Sequence, residues 1–243
     1  MADGPALLPV TATLLALAGI RTGERIVDVG CGAGTLTYAA AAAAGPSGQV
    51  FGVDPSPVAL AAGRARRESA VCWVRACGDR LPFVSGTVDK VLNGPALHRL
   101  ADVAPVLAEQ GRVLAGWGRL AASAWGAFAG GPEEAAFASA LAACGTDPSA
   151  YDASLAFGGA ARTGADLPAL FRESGLRVVH ETTDSVTLRL PDAAAYAAWR
   201  LAFAPPLDAA AAAAVVVAVA TALGPEPVAV PAVVHSATAN PQT

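Results

Sequence analysis

The chain has few cysteines, few aromatic residues and few charges for its 243 residues. Its four cysteines, at positions 31, 72, 77 and 144, form no C-x-x-C pair and no other spacing typical of a metal site. We therefore expect reduced thiols, a cytoplasmic location and no bound metal. Residues 1–5 lack a basic region ahead of an apolar core, so no secretory signal is predicted.

The sequence also lacks a basic surface and a membrane-spanning run. Its net charge is −4, and the one cluster of arginines, Arg64, Arg66 and Arg67, is predicted to be a solvated helix face. Proteins that bind nucleic acid carry a basic stripe, so nucleic acid is not a predicted partner. The apolar run at residues 209–223, made almost entirely of alanine and valine, is shorter than the roughly 20 residues that span a bilayer. It predicts a buried helix.

The chain does have the apolar content to fold as a globule. Hydrophobic residues make up 54% and charged residues 15%, which is enough for a well-buried core. We predict one α/β domain over residues 1–243.

A short apolar strand that runs into alternating glycines is the most informative segment. Residues 26–34 read Ile-Val-Asp-Val-Gly-Cys-Gly-Ala-Gly, and a second acid, Asp54, ends the next apolar run. Glycines let the backbone approach a ligand without a Cβ in the way. A carboxylate about 20 residues later can accept hydrogen bonds from ribose hydroxyls. Together these features predict a nucleoside-binding crevice.

The glycine spacing separates two classes of cofactor. Dinucleotide-binding proteins have G-x-G-x-x-G facing a pyrophosphate, whereas Gly30, Gly32 and Gly34 follow G-x-G-x-G. The acid Asp28 adds negative charge beside the loop, which favours a ligand with an ammonium and a sulfonium over one with phosphates. S-adenosylmethionine (SAM) is such a ligand. An NAD-dependent oxidoreductase is disfavoured, because a Tyr-x-x-x-Lys motif is also missing.

Several segments resemble the class I SAM-dependent methyltransferases. Residues 24–44 resemble their first motif, residues 54–56 the acidic turn after their second strand, and residues 81–83 with 88–91 the segment that enters their fourth strand. Residues 96–100 are similar to the helix start after that strand in the small-molecule branch, which contains the ubiquinone and menaquinone methyltransferases. The resemblance spans residues 6–126, and more weakly residue 167 onward. It implies a Rossmann-like α/β fold: a mostly parallel seven-stranded sheet with helices on both faces and a helical lid insert.

The resemblance also implies which residues bind the cofactor. Asp54 is expected to hold the ribose hydroxyls, with an N-cap of the next helix as its alternative role. The full predicted set comprises Asp28, Gly30, Cys31, Gly32, Gly34, Asp54, Pro55, Cys77, Gly78, Asp79, Asn93 and Leu97.

The adenine-binding turn departs from the family pattern Gly-Asp-Ala-Glu. Aligned without a gap on residues 81–83, the family's aspartate falls on Cys77 and its glutamate on Asp79. With two residues deleted, Gly78-Asp79 takes the usual Gly-Asp place. Both alignments remain open, and Asp79 is the residue expected to lie near the base.

Methyl transfer is an in-line displacement that needs alignment and exclusion of water, and no universal catalytic residue. His98 is the candidate base, and packing at a helix start is its alternative role. Asn93-Gly94-Pro95-Ala96 lacks the second proline and the aromatic residue of an N-P-P-Y turn. We therefore interpret Asn93 as a pocket-wall residue near the methionine part of the cofactor.

The strand-and-helix alternation changes beyond Trp125. Residues 177–190 and 228–239 predict a closing antiparallel pair, and the helical inserts at about 127–165 and 192–224 are predicted lids. In these inserts Tyr151, Phe157, Tyr196 and Trp199 could contact an apolar substrate.

The predicted function is methyl transfer to a small, uncharged and rather apolar metabolite. The high alanine content suits a GC-rich bacterial genome, and hence secondary metabolism, and a homodimer is possible. Two alternatives keep the cofactor: a cyclisation or rearrangement without methyl transfer, and a SAM-sensing protein that is not an enzyme.

Overall fold

The computed structural model describes residues 8–66, 71–97, 100, 102–128, 130–149, 164–201 and 207–242. The first half of the chain alternates helices and short strands. In chain order these are α1 (Leu8–Ala18), β1 (Arg25–Val29), α2 (Thr35–Ala44), β2 (Gln49–Val53), α3 (Pro57–Arg64), β3 (Val71–Val74), β4 (Val88–Asn93) and α4 (Ala104–Val113).

The second half has three long strands joined by helices. They are β5 (Leu114–Phe128), α5 (Pro132–Ala143), a 3-10 turn (Gly164–Asp166), α6 (Leu167–Glu173), β6 (Leu176–Leu190), α7 (Ala193–Leu201), α8 (Ala209–Leu223) and β7 (Val228–Pro241). The apolar segment at residues 119–123 alone would indicate a shorter fifth strand. The observed strand begins at Leu114, which pairs with Val88, and the register shifts before Arg119 pairs with Lys90.

The seven strands form one sheet in the order β3-β2-β1-β4-β5-β7-β6. Neighbouring strands from β3 to β5 are parallel, and β7 runs antiparallel to both β5 and β6. The predicted seven-stranded, mostly parallel sheet is confirmed. The strand order reverses between β1 and β4, and ligands of such sheets bind beside this switch point, at the carboxyl ends of the strands.

Apolar side chains bury both faces of the sheet. Val27 belongs to a core that contains residues of α4 and α6, while its neighbour Ile26 belongs to a core with α1 and α2. Successive residues of a strand point to opposite faces, so the near-continuous apolar run of β1 requires helices on both sides. They are found there, as predicted.

A third apolar cluster joins α5, α7 and α8 to the carboxyl-terminal parts of β5 and β6 and to the amino-terminal part of β7. Here Glu134 of α5 accepts a hydrogen bond from Tyr196 Oη at 2.7 Å and pairs with Arg200 at 2.9 Å. The helices of the two predicted inserts therefore pack on one another, and we call them the helical cap. Their action as a lid stays a prediction.

Two expectations for this region need correction. Helix α8 is only partly buried, since Val215 and Val219 are inaccessible while Val217 is 65% exposed. Its all-apolar composition did not reveal which face packs. Tyr196 and Trp199 lie in the core of the cap, where other apolar side chains of the protein surround them. Tyr151 and Phe157 lie outside the described residues. No helix among the described residues is long and apolar enough to cross a membrane.

Candidate functional site

The loop after β1 turns sharply at its glycines. Gly30, Gly32 and Gly34 have φ angles of 73°, 55° and 89°, a region that side-chain-bearing residues rarely adopt. The amides of Gly30 and Cys31 both donate to the carbonyl of Val53, at 2.9 and 3.1 Å. The loop is thereby tied to the end of β2.

Asp54 closes the other side of this loop. Its Oδ2 accepts from the Gly32 amide at 3.0 Å, and its Oδ1 accepts from the Ser56 amide at 2.8 Å. The N-cap of α3 is Ser56, whose Oγ accepts from the Ala59 amide, so the alternative role of Asp54 as that cap is wrong. A carboxylate has about four acceptor positions, and Asp54 therefore retains capacity for ligand hydroxyls.

Asp28 lies beneath the loop and is 1% exposed. Thr37 Oγ1 donates to its Oδ2 at 2.6 Å. Burial is the main cause that raises the pKa of Asp28 to about 7; the hydrogen bond from Thr37 lowers the pKa and the negative charge of Asp54 adds to the rise, and this value includes both effects. The group therefore titrates close to neutral pH. Its predicted contact with a ligand ammonium stays a prediction.

Trp73 packs against glycines of the loop and of its neighbours. A Cβ added to Gly34 or to Gly63 would collide with the Trp73 indole, and one added to Gly52 would come within 3.0 Å of it. The edge of Tyr38 also meets the indole, at 5.6 Å between ring centroids. The apolar strand that contains Trp73 would by itself indicate an ordinary core residue. Trp73 is half-buried and packs against the glycine loop, which nothing in its local sequence indicates.

The predicted adenine turn lies on the rim of the site. Cys77 and Asp79 are exposed, as is Pro55 after β2. Gly78 lies between them with no room for a side chain, since an added Cβ would come within 3.0 Å of Val29 and 3.1 Å of Val106. Whether Cys77 or Asp79 meets the base stays a prediction.

Asn93 supplies an unpaired acceptor at the end of β4. The residue is 2% exposed, and its Oδ1 has no hydrogen-bond partner in the described part of the chain. Because buried polar atoms almost always have a partner, this oxygen marks a place for a ligand or water donor.

The remaining predicted residues occupy different surroundings. Leu97 is fully buried in the core, so a cofactor contact through its side chain stays a prediction. Cys31 is buried, and burial raises the pKa of its thiol, which keeps it protonated. His98 lies outside the described residues and stays a predicted base. Within the described ranges, no cluster of side chains could hold a metal ion.

Part of the chain is similar in sequence to known methyltransferases. Residues 27–122 match a family model described as a methyltransferase domain. A demethylmenaquinone methyltransferase of Staphylococcus aureus is 37% identical over 98 residues, which is 40% of this chain and 41% of its own. The matches cover only 30 to 41% of the length of the curated relatives, less than two thirds of those proteins.

Solved structures share the fold at low sequence identity. The [4+2]-cyclase SpnF has a TM-score of 0.62 at 18% identity, covering 97% of this chain and 81% of its own. A geranyl diphosphate methyltransferase in complex with SAM has a TM-score of 0.55 at 20% identity, covering 96% of this chain and 85% of its own.

Proposed function

On the premise that this chain belongs to the class I SAM-dependent methyltransferases, we propose that it binds SAM and methylates a small, rather apolar metabolite. The premise rests on the matched domain at residues 27–122 and on the shared fold. We further propose a bacterial enzyme of secondary metabolism that works in the cytoplasm, where its four free thiols would stay reduced. A homodimer is compatible with this role, and nucleic acid is not a proposed partner.

The bond between Asp54 and Gly32 carries the proposal. It places a carboxylate against a glycine loop at the switch point of a parallel sheet, where nucleoside ligands bind. We propose that the unused acceptor positions of Asp54 hold the two ribose hydroxyls through charge-assisted hydrogen bonds.

The other residues of the site fit the rest of SAM. Asn93 Oδ1, buried and without a partner among the described residues, would accept a hydrogen bond from the ammonium of the methionine part. Asp79 or Cys77 on the rim would lie near adenine. SAM itself would supply a methyl group on a sulfonium, which is an excellent leaving group.

The protein's own contribution is then positioning. The glycine loop and Asp54 are tied to the ends of β1 and β2, so they need little reorganisation to hold a ligand. We propose that the inserts at about 127–165 and 192–224 close over the crevice and exclude water. His98 would remove a proton from the acceptor where the acceptor requires it.

A second candidate function is a SAM-dependent fold that catalyses a cyclisation. It is favoured by the similarity to the [4+2]-cyclase SpnF over 97% of this chain. The two functions differ in product mass: methyl transfer adds one methyl group and releases S-adenosylhomocysteine, whereas cyclisation changes no mass and releases nothing.

Calorimetric titration with SAM, S-adenosylhomocysteine and NAD tests the proposal. We expect binding of the first two and none of NAD, because the loop and its acids suit a sulfonium rather than a pyrophosphate. Binding of NAD alone would contradict the proposed cofactor. Release of S-adenosylhomocysteine on incubation with SAM and an acceptor then separates methyl transfer from cyclisation.

A further inference from the structure

The segment that carries the predicted adenine turn is held by α4. Residues 75–87 join β3 to β4, and we call them the rim loop. The amide of Leu81 donates to Glu109 Oε1 of α4 at 2.7 Å. This bond fixes the rim loop two residues after Asp79, which is the residue expected to lie near the base.

Arg112, three residues after Glu109 on α4, bonds the same loop at three places. Its Nη2 donates to the carbonyl oxygens of Leu81 at 3.3 Å and of Phe83 at 3.0 Å. Its Nη1 donates to Ser85 Oγ at 2.9 Å. The planar guanidinium is a rigid fork of donors, so it can hold several acceptors at once in a way that a lysine cannot.

Glu109 and Arg112 also bind each other. Nε of Arg112 donates to Glu109 Oε2 at 2.6 Å, and Nη2 donates to Glu109 Oε1 at 2.7 Å. The hydrogen bonds from Arg112 are the main cause that lowers the pKa of Glu109, so the carboxylate is charged at neutral pH. Because such two-bond pairs have a specific geometry, each side chain orients the other toward the rim loop.

The turn itself packs between α4 and the end of β1. A Cβ added to Gly78 would come within 3.0 Å of Val29 and 3.1 Å of Val106. Val29 directly precedes the glycine loop, and Val106 lies three residues before Glu109 on α4. The turn therefore touches the candidate site on one side and, on the other, the helix that holds the chain after it.

The start of the rim loop is tied to the ribose side of the site. The amide of Asp54 donates to the carbonyl of Val74, the last residue of β3, at 3.2 Å. Arg75 Nε donates to the carbonyl of Pro55, also at 3.2 Å. The turn thus has one anchor beside the carboxylate that is proposed to hold ribose, and the other anchor at Glu109.

These anchors matter because the outer residues of the turn are exposed. Burial does not fix Cys77 or Asp79, which both lie on the surface. Their distance from Asp54 follows instead from the bonds on either side of the turn. The bond on the far side, at Leu81, comes from one charged side chain and can be removed by one substitution.

We infer that Glu109, held by Arg112, is a positioning residue for adenine recognition. Through Leu81 it holds the turn at residues 77–79 at the distance from Asp54 that an adenosyl group needs. This inference rests on the proposed function, because it concerns recognition of the same cofactor. Glu109 would not contact the ligand, so its loss should weaken recognition of the base and leave the contacts to the rest of the ligand in place.

S-adenosylhomocysteine and S-inosylhomocysteine test this role, because they differ only in the base, where an oxygen replaces the amino group of adenine. In calorimetric titrations we expect the wild type to bind the adenosyl compound more tightly. Glu109→Ala is expected to lose roughly 3- to 10-fold in affinity for the adenosyl compound, the effect of one hydrogen bond. Its affinity for the inosyl compound should change little, so the preference for adenine should fall.

Glu24→Ala is the matched control for a merely structural effect. Glu24 likewise accepts from a backbone amide, that of Arg21 at 2.8 Å, and pairs with a cation, Lys90 at 3.5 Å. It precedes β1, at the end of the strand away from the glycine loop. Both alanine variants should unfold at a lower temperature than the wild type, whereas only Glu109→Ala should lose the preference for adenine.

The conservative variant Glu109→Gln adds a rescue test. Its amide oxygen can still accept from the Leu81 amide, so it should recover part of the preference that Glu109→Ala loses. If Glu109→Ala does not fold, Arg112→Lys decides the question, because a lysine can pair with Glu109 but cannot bond the three loop acceptors together. Its preference for adenine should also be lower than that of the wild type.

An unchanged preference for adenine in the variant that decides would overturn the inference, whether both affinities stay the same or both fall equally. A wild type that binds the two compounds equally well would overturn it as well. Failure of the proposed function gives a different result, since the wild type would then not bind S-adenosylhomocysteine at all, which contradicts the cofactor assignment and the inference together.

Discussion

The amide of Gly32 donates to Oδ2 of Asp54 at 3.0 Å, across 22 residues of chain. This bond joins the two structures that the sequence marks as a nucleoside site, the loop after β1 and the acid after β2. The same carboxylate accepts from the Ser56 amide, so its orientation is fixed from both sides before any ligand arrives. Such preorganisation lowers the ordering cost of binding.

The buried carboxyl of Asp28 should make stability depend on pH. Its pKa is about 7 in the folded protein against 3.8 when exposed, so the folded state holds a proton that the unfolded state has lost. The free energy of unfolding should therefore fall as pH rises from about 4 to about 7, by an amount on the order of 4 kcal/mol. Asp28→Asn should lack this slope in urea unfolding without ligand.

The exposed acid Asp102 provides the control for this experiment. Asp102→Asn should keep the wild-type slope between about pH 4 and pH 7. Wild-type and Asp28→Asn curves that run parallel through this range would show that Asp28 does not titrate as proposed.

Gly63→Ala should destabilise the protein although alanine normally favours a helix. A Cβ at this position of α3 collides with the Trp73 indole, and overpacking typically costs about 1–3 kcal/mol. In a Trp73→Leu background the collision is absent, so the same change should stabilise the protein by up to about 1 kcal/mol. Chemical denaturation of the four proteins gives the coupling between the two sites.

Gly116→Ala is the matched control for that cycle, because an added Cβ there meets nothing within 4 Å. Its effect should be the same in both backgrounds. Additivity between Gly63→Ala and Trp73→Leu would refute the contact.

The ion pair of the helical cap should be important for stability. Arg200 is 1% exposed and bonds Glu134 at 2.9 Å. Removing one partner of a buried pair typically costs about 3–5 kcal/mol, so Glu134→Ala should lower the free energy of unfolding by that amount. The exposed Glu226→Ala is the control, with an expected change within about 0.5 kcal/mol. A loss below about 1 kcal/mol for Glu134→Ala would mean that the pair is not needed in the cap.

Local pattern was sufficient for the part of the fold that carries the candidate site. The strand, glycines and acid around Asp28 are contiguous, and Asp54 ends the next strand, so both follow from short windows of sequence. Parallel order then places their strand ends on one edge. The site around Asp54 could be predicted for this reason.

Features made by long-range pairing were not predictable in the same way. Ser123 and Ser236 become neighbours only through the β5–β7 register, and Glu134 meets Arg200 only when the two inserts fold together. Trp73 lies in β3 and packs against Gly34, which follows β1, so the strand β2 lies between their two strands. Its local sequence alone would indicate an ordinary core residue. In α8, an unbroken run of alanine and valine gives no polar face, so the exposure of Val217 could not be foreseen.

Calorimetric titration of Asp54→Ala tests the central claim most directly, with SAM, S-adenosylhomocysteine and the 2′,3′-dideoxy analogue of the latter. The account predicts that the variant binds SAM at least about 1.5 kcal/mol more weakly than the wild type. It also predicts that only the wild type prefers S-adenosylhomocysteine to the dideoxy analogue. Unchanged SAM affinity in Asp54→Ala, with the preference for ribose hydroxyls intact, would contradict the account.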